Sequence, residues 1–288
     1  MPSTSRLLVL LCLISALAIA VAGCGSDDDE DSGSGPTAAA DCNPGELETL
    51  EQGTLTVATD KPAFPPYFVN DDPANGKGFE SAVAFAIADT LGYAKTDVKW
   101  VVESFNSSFA PGPKDFDFDV NQISITPQRK QAVDFSAPYY TAGQAVVALK
   151  DSEIATATSL DEIADAKIGV QLGTTSLDAV NETIEPSEEP SVFNNSTDVV
   201  TALKQGQVDA VVVDVPTAFF LTAVQVPEAT TVGQFEAPGG DEWGALLEKD
   251  SPLTSCVSQA IEELRSSGKL GQIEQRWIQQ ATNAPALD

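Results

Sequence analysis

The sequence contains no histidine, and both arginine and cysteine are scarce. Histidine is the commonest general base in enzymes and the commonest metal ligand, so its absence argues against Ser-His-Asp and zinc hydrolases. We therefore predict neither a metal nor a cofactor. The 288-residue chain carries a net charge of −28 at pH 7. Because phosphates would be repelled by such a chain, we do not expect a nucleic acid as partner.

The first 23 residues have the pattern of an export signal. Arg6 precedes an apolar run over residues 7–22. This run is short for a membrane span and suits the core of a secretory leader. The four residues that end at Cys24 resemble the lipobox of bacterial lipoproteins, in which the cysteine thiol accepts a diacylglycerol. We predict a signal peptide at 1–23 and a lipid anchor at Cys24 on the extracytoplasmic face of a bacterial cell membrane; the alternative is a secreted protein cut nearby.

The segment 24–41 is rich in acidic and small residues and has no large apolar side chain after Cys24. Such a segment cannot bury a core, so it predicts a disordered tether. The two cysteines beyond it are Cys42 and Cys256. Two thiols in an exported chain suggest one disulfide, although two separate thiols are the alternative.

Beyond the tether, apolar periodicity predicts an α/β protein in which strands and helices alternate. From Phe79 onwards an apolar residue occurs at every fourth position, which indicates a helix. Residues 210–213 are all apolar, which indicates a buried strand. Ligands of such folds meet the carboxyl ends of the strands. The other predicted strands are 54–59, 98–102, 119–124, 144–149, 167–170 and 242–247, and the other predicted helices are 159–164, 197–205, 251–266, 270–280 and short ones after 126, 174 and 215.

The segment 122–129 combines features of an anion site. Ser124 ends a predicted strand, Thr126 can cap the following helix, and Arg129 offers a planar guanidinium. Strand-end amides and a helix N-terminus favour the same anion. The segment therefore suggests a carboxylate clamp; the alternative is an ordinary helix cap beside a solvated arginine. Outside the leader, the only other arginines are Arg265 and Arg276, both in a helical pattern near the C-terminus.

Several short segments, taken in order and with their spacing, are similar to a known family. They are 55–60, Pro66-Tyr67, 78–80, 124–129, 133–140, 173–175, Asp214 with Pro216, and 268–277. Together they resemble the type II periplasmic binding fold, in particular the family 3 solute-binding proteins of polar amino-acid ABC importers. The resemblance covers about residues 55–277.

This resemblance implies a two-lobed (Venus-flytrap) α/β fold, in which each lobe is a mixed, mostly parallel sheet flanked by helices. It implies two hinge crossings, near residues 147–150 and 234–241. Lobe 1 would comprise 42–148 with 240–288, and lobe 2 would comprise 149–239. The ligand would bind in the cleft and be enclosed by hinge closure.

The resemblance also implies roles for individual residues. Arg129 and Ser124 match carboxylate-binding positions, and Thr174 and Thr175 lie in the lobe 2 turn that reaches the same carboxylate. Asp214 matches the acid that binds the α-ammonium. Positions that line the side-chain pocket are matched by Asp60, Phe64, Phe105, Gln122 and Gln171. For the two acids, Asp60 and Asp214, the alternative is to cap the next turn; for the aromatics it is core packing.

The sequence departs from the family pattern at Gln122, a position where the family more often has a small residue. We expect the Gln122 side chain to crowd the ligand side chain or to form a hydrogen bond with it. The implied function is a non-enzymatic substrate-binding protein that captures an amino acid or a similar small polar zwitterion for the permease subunits of an ABC importer. The alternative is an enzyme on the same fold, similar to the cyclohexadienyl (prephenate or arogenate) dehydratases, since fold alone does not set function.

Overall fold

The computed structural model describes residues 42, 45–278 and 284–287. The predicted signal peptide at 1–23, the predicted tether at 24–41 and the predicted lipidation site Cys24 lie outside the described residues. Within the described ranges, no helix is both long and apolar enough to cross a membrane.

The first lobe is built on a five-stranded sheet with the order β2-β1-β3-β10-β4. Strand β1 pairs parallel with β2 and β3, whereas β10 runs antiparallel to β3 and β4. Helices α1, α6 and α7 supply apolar side chains to the main core of this lobe. The elements are β1 (Leu55–Thr59), α1 (Phe79–Thr90), β2 (Val98–Val102), α2 (Phe105–Ser108), β3 (Phe118–Asp119), β4 (Asp134–Thr141), β10 (Glu242–Leu247), α6 (Thr254–Ser266) and α7 (Lys269–Trp277).

The second lobe is built on another five-stranded sheet, with the order β7-β6-β8-β5-β9. Strands β6, β7 and β8 are parallel neighbours, and β5 pairs antiparallel with β8 and β9. The sheet has two apolar clusters. The elements are β5 (Gln144–Leu149), β6 (Ile168–Gln171), α3 (Thr175–Ala179), β7 (Ser191–Phe193), α4 (Ser196–Lys204), β8 (Ala210–Asp214), α5 (Val215–Phe220) and β9 (Ala229–Phe235).

Local sequence explains the best-defined elements. The apolar stripe of α1 is fully buried at Phe79, Val83 and Ile87, as the fourfold spacing predicts. Residues 210–212 of β8 are buried and Val213 is partly buried at the centre of the second sheet, where a strand needs apolar side chains on both faces. The two-lobed α/β prediction is confirmed by these paired sheets.

The first crossing lies earlier in the chain than we predicted. Strand β5 pairs with β8 and β9 along Gln144–Leu149, so all of this strand belongs to the second sheet. The chain therefore changes lobe between the end of β4 at Thr141 and Gln144, not at 147–150. The physical reason is that residues 145–148 are wholly buried, and an apolar strand of this kind is stable only between two neighbours. The second crossing lies between Phe235 and Glu242, inside the predicted range.

The last described residues also depart from the predicted lobe boundary. Ala286 forms a parallel β-bridge with Gln234 of the edge strand β9. Leu287 is buried in a hydrophobic cluster of the second lobe. The backbone N–H of Gln234 donates to Pro285 O at 2.7 Å, and Leu287 N donates back to Gln234 O at 2.9 Å. Residues 284–287 thus extend the second sheet, although the sequence prediction placed them in lobe 1.

The predicted disulfide between Cys42 and Cys256 is present. It joins the chain just before the first lobe to the buried face of α6, where Cys256 is only 2% exposed. Its sequence separation is 214 residues. The bridge therefore fixes the start of the described chain to an element close to its other end.

Candidate functional site

A cavity of about 500 Å³ lies between the two lobes. Strand ends contribute to its wall from both lobes: Thr59 is the last residue of β1, and Gln171 and Asp214 are the last residues of β6 and β8. This placement follows the rule that ligands of open α/β sheets meet the carboxyl ends of strands. Of the predicted ligand-binding residues, those that line the cavity are Asp60, Phe64, Phe105, Gln122, Ser124, Gln171, Thr174, Thr175 and Asp214.

Arg129 is the predicted site residue that does not line the cavity. Its guanidinium is 8% exposed and packs over the rings of Phe105 and Phe109, at 5.5 and 4.6 Å from their centroids. Nη1 donates to Ser124 O at 2.7 Å, and Nη2 donates to Gly173 O at 2.9 Å. Burial lowers the pKa of Arg129 to about 10. The guanidinium therefore bridges the lobes and is not the solvated side chain of the alternative reading.

The backbone around this arginine differs from the predicted strand and helix. Strand β3 ends at Asp119, and Gln122 has a left-handed φ of 49°, which interrupts an extended chain. Arg129–Gln131 forms a single 3₁₀ turn. The turn begins after Gln128, which makes no side-chain cap, so Thr126 is not its N-cap as we predicted. Thr126 Oγ1 nevertheless accepts the backbone N–H of Arg129 at 3.1 Å.

Gln122 is held by a buried acid that the sequence analysis did not single out. Glu80 has no exposed surface and accepts the backbone N–H of Gln122 at 2.7 Å and the hydroxyl of Tyr139 at 2.5 Å. The Gln122 side-chain amide also donates to Glu80. Burial raises the pKa of Glu80 to about 7. The amide nitrogen of Gln122 is thus engaged inside lobe 1, which limits the ligand contact that we expected from it.

The second-lobe turn meets the first lobe across the cavity. The hydroxyls of Ser124 and Thr175 lie 3.1 Å apart. Thr174 caps α3, since its Oγ1 accepts Leu177 N at 3.2 Å. Elsewhere, the hydroxyl of Tyr67 lies 2.8 Å from that of Thr217. The lobes are therefore in direct hydrogen-bonded contact through two pairs of residues that line the cavity.

The two predicted acids occupy different environments. Asp60 accepts backbone N–H groups from Lys61 at 2.6 Å and from Phe105 at 3.3 Å, which is the capping behaviour of the simpler alternative. Asp214 makes no side-chain cap to α5. Its Oδ1 accepts the side-chain amide of Gln144 at 2.9 Å. Burial, and then the nearby carboxylate of Asp241, raise the pKa of Asp214 well above its ordinary value.

The remaining aromatic and amide residues frame the same cavity. Phe64 lies on the first-lobe wall, and Phe105 packs edge-on against Phe109 with ring centroids 5.4 Å apart. Gln171 is oriented by Ser196, whose hydroxyl donates to Gln171 Oε1 at 2.5 Å. Helix α4 is capped by Asn195, whose Oδ1 accepts the backbone N–H of Asp198 at 2.9 Å. Within the described residues, no cluster of three or more potential metal ligands is found.

Comparison with known proteins agrees with this architecture. Residues 55–280 match the model of the bacterial extracellular solute-binding proteins, family 3. The L-cystine-binding protein TcyJ of Escherichia coli K12 is 28% identical over 79% of this chain and 84% of its own length. The arginine-binding extracellular protein ArtP of Bacillus subtilis 168 is 29% identical over 70% of this chain and 77% of its own.

Solved structures give the same picture. An ancestral arginine-binding protein bound to glutamine superposes with a TM-score of 0.67 at 32% identity, covering 79% of this chain and 98% of that one. An ancestral amino acid-binding protein described as a precursor of cyclohexadienyl dehydratase gives a TM-score of 0.65 at 30% identity, covering 79% and 96%. With the cleft between two sheets and the family match over most of its length, this chain belongs to the family 3 bacterial extracellular solute-binding proteins.

Proposed function

We propose that this protein captures a free α-amino acid in the cavity between its lobes and delivers it to the permease subunits of an ABC importer. The observation that carries the proposal is the pairing of opposite charges around one cavity. Asp214 lies on the second-lobe wall, and Arg129 lies directly behind Ser124 and the Gly173 turn. Burying either end of a zwitterion without a partner costs several kcal/mol, so a site of this kind selects for both charges.

In this proposal the ligand ammonium pairs with Asp214. The carboxylate is received by the Ser124 and Thr175 hydroxyls and by the N-terminus of α3, with Arg129 supplying positive charge from behind. The guanidinium has five N–H donors, and the structure assigns two of them to backbone carbonyls. Other donors are therefore available to a carboxylate. The names of the relatives, which bind cystine, arginine and glutamine, support an amino-acid ligand and do not choose among them.

A calorimetric titration tests the charge pairing. Amino acids are first screened by thermal shift, and the tightest ligand is then compared with its carboxamide and its N-acetyl derivative. Removing one partner of a buried charge pair costs about 2–5 kcal/mol, so Arg129→Ala and Asp214→Asn should each weaken binding by roughly thirtyfold to several thousandfold. Arg129→Lys should also lose affinity, because an ammonium does not reproduce the guanidinium geometry. Equal binding of the amino acid and both derivatives by the wild type would overturn the proposal.

We further propose that Cys24 carries the lipid that holds the protein at the extracytoplasmic face of the membrane. The support is the leader and lipobox pattern in the sequence. Metabolic labelling with a fatty acid should mark the wild type and leave Cys24→Ala unlabelled. Equal labelling of both proteins would exclude the anchor.

The dehydratase alternative has one structural neighbour in its favour, the ancestral precursor described above. A lyase at this site would need a suitably placed acid, and the cavity residue Asp60 is engaged by two backbone N–H groups. We expect no aromatic product when the protein is incubated with prephenate and followed by ultraviolet absorbance. Turnover in that assay would replace the binding proposal with an enzymatic one.

A further inference from the structure

Two buried polar residues lie at the hinge, behind the cavity wall. Gln144 is the first residue of β5, just after the first crossing, and is fully buried. Asp241 ends the second crossing, just before β10, and is 1% exposed. Neither residue lines the cavity. Burying an amide and a carboxylate side by side is costly unless both groups form hydrogen bonds. The hydrogen-bond partners of Gln144 and Asp241 therefore indicate the role of the two residues.

The amide of Gln144 connects the hinge to the cavity. Its Nε2 donates to Asp241 Oδ2 at 2.7 Å and to Asp214 Oδ1 at 2.9 Å. Its Oε1 accepts the hydroxyl of Ser176 at 2.6 Å. These contacts fix the orientation of the amide, because only the NH₂ end can face two carboxylates. Gln144 therefore holds one oxygen of the cavity carboxylate Asp214 in place.

Asp241 forms further hydrogen bonds that connect it to both lobes. Its Oδ2 also accepts the hydroxyl of Thr175 at 3.3 Å, and its backbone oxygen accepts the N–H of Ala142 at 2.8 Å. It thus contacts the other crossing and the second-lobe turn at once. Its Oδ1 is buried and has no hydrogen-bond partner among the described residues. A buried carboxylate that is only half satisfied weakens the fold, which is unexpected for a purely structural residue.

We propose that Asp241 and Gln144 are positioning residues for Asp214: they orient its carboxylate toward the ligand ammonium and link that orientation to the hinge geometry of the contacting lobes. The assignment rests on the proposed role of Asp214. Asp241 adds a second negative charge behind the ammonium site, so the pair favours a charged ammonium over a neutral group in the same place. Removing either residue should therefore penalise ligands that carry an ammonium more than ligands that lack it.

The experiment compares each amino acid with the same molecule without its amino group. The probes are L-arginine with 5-guanidinopentanoate and L-glutamine with glutaramate, titrated by calorimetry into wild type, Asp241→Asn, Gln144→Met and the double variant. We expect each single substitution to weaken amino-acid binding by about tenfold and to leave the des-amino affinity within about twofold. The double variant should bind no worse than the weaker single variant, because the two residues act on Asp214 as one unit.

A matched control is Asp117→Asn. Asp117 is a 5% exposed carboxylate that accepts the backbone N–H groups of Leu50 and Thr56, away from the cavity. Its substitution should lower the melting temperature and leave both affinities unchanged. If Asp241→Asn does not fold, Gln144→Met decides the question alone.

Wild-type affinities in both hinge variants would overturn the assignment, and so would an equal loss for the amino acid and its des-amino partner, since that indicates general hinge damage. If wild type binds no α-amino acid, the proposed function itself falls, and this assignment with it.

Discussion

Replacing Glu80 with glutamine should change how the stability of this protein depends on pH. Glu80 has no exposed surface, and it accepts hydrogen bonds from Tyr139 and from Gln122, a residue that lines the cavity. Burial raises its pKa from 4.5 to about 7, against the opposing effect of these hydrogen bonds. The folded protein therefore keeps a proton on Glu80 at pH values where the unfolded chain has lost it.

The direction of the effect follows from this difference in proton binding. Because the folded pKa is the higher one, the contribution to stability is fully present below pH 4.5 and is lost as the pH rises through 7. At 1.36 kcal/mol per pKa unit, Glu80 alone makes the free energy of unfolding about 3 kcal/mol smaller above pH 7 than below pH 4.5. Burial also raises the pKa of Asp119, to about 8, which acts in the same direction.

Urea unfolding followed by tryptophan fluorescence measures this quantity at several pH values between about 5 and 8. Wild type should lose stability across the range, and Glu80→Gln should lose about 2.5 kcal/mol less, because part of the total difference lies below pH 5. The exposed Glu188, changed to Gln, should keep the wild-type pH dependence. A Glu80→Gln variant with the same pH dependence as wild type would refute the reasoning.

Two further predictions concern stability. Replacing Cys42 and Cys256 with serine should reduce the free energy of unfolding by about 5 kcal/mol, given the 214-residue separation, and unchanged urea midpoints would contradict it. Gly233→Ala should cost about 1–3 kcal/mol, because the new Cβ would lie 2.5 Å from Leu287 Cγ, whereas Gly45→Ala, with nothing within 4 Å of its Cβ, should be neutral in the same titration. Equal stabilities of the two alanine variants would show that residues 284–287 do not pack on β9 as described.

The local pattern of apolar residues predicted those strands and helices whose formation depends mainly on their own sequence. Strand β1 and helix α1 agree with the predicted 54–59 strand and Phe79 stripe to within a residue at their starts, and β8 delivers Asp214 to the cavity edge. Strand β9 was missed, because its burial alternates irregularly and its residues are partly small and polar. The predicted helix at 159–164 is not helical, and the residues there form turns.

The predicted strand over 119–124 failed for a reason that a local pattern does not contain. The apolar residues of this segment are buried as a strand would bury them. The backbone instead turns at Gln122, whose N–H and side-chain amide are both held by Glu80, 42 residues earlier. A distant carboxylate thus overrides the extended preference of the segment. Gly78-Phe79-Glu80 was part of the family resemblance, but its spacing gave no indication of this partner.

The site shows the same division between local and non-local information. The strand-end rule places Gln171 and Asp214, the last residues of β6 and β8, on the cavity wall without any knowledge of their neighbours. Ser124 also lines the cavity, but it lies in the turn beyond β3 and not at a strand end. The position of Arg129 depends on the Gly173 carbonyl of the other lobe, which is 44 residues away in sequence and 2.9 Å away in space. Sequence patterns therefore identify which groups line the cavity but not which groups restrain them.

Arg129 connects the contact between the lobes with the charge of the site. Its hydrogen bond to Gly173 exists only while the lobes are in contact, and desolvation of a guanidinium is costly unless its donors are used. In the proposed function, a bound carboxylate would add an acceptor and a negative charge beside this buried cation, so it would stabilise the arrangement in which the lobes touch. On the wall that holds Asp214, a bound ammonium would offset the repulsion between Asp214 and Asp241. We therefore expect a ligand that lacks either charged end to stabilise the contacting lobes less than a zwitterion does.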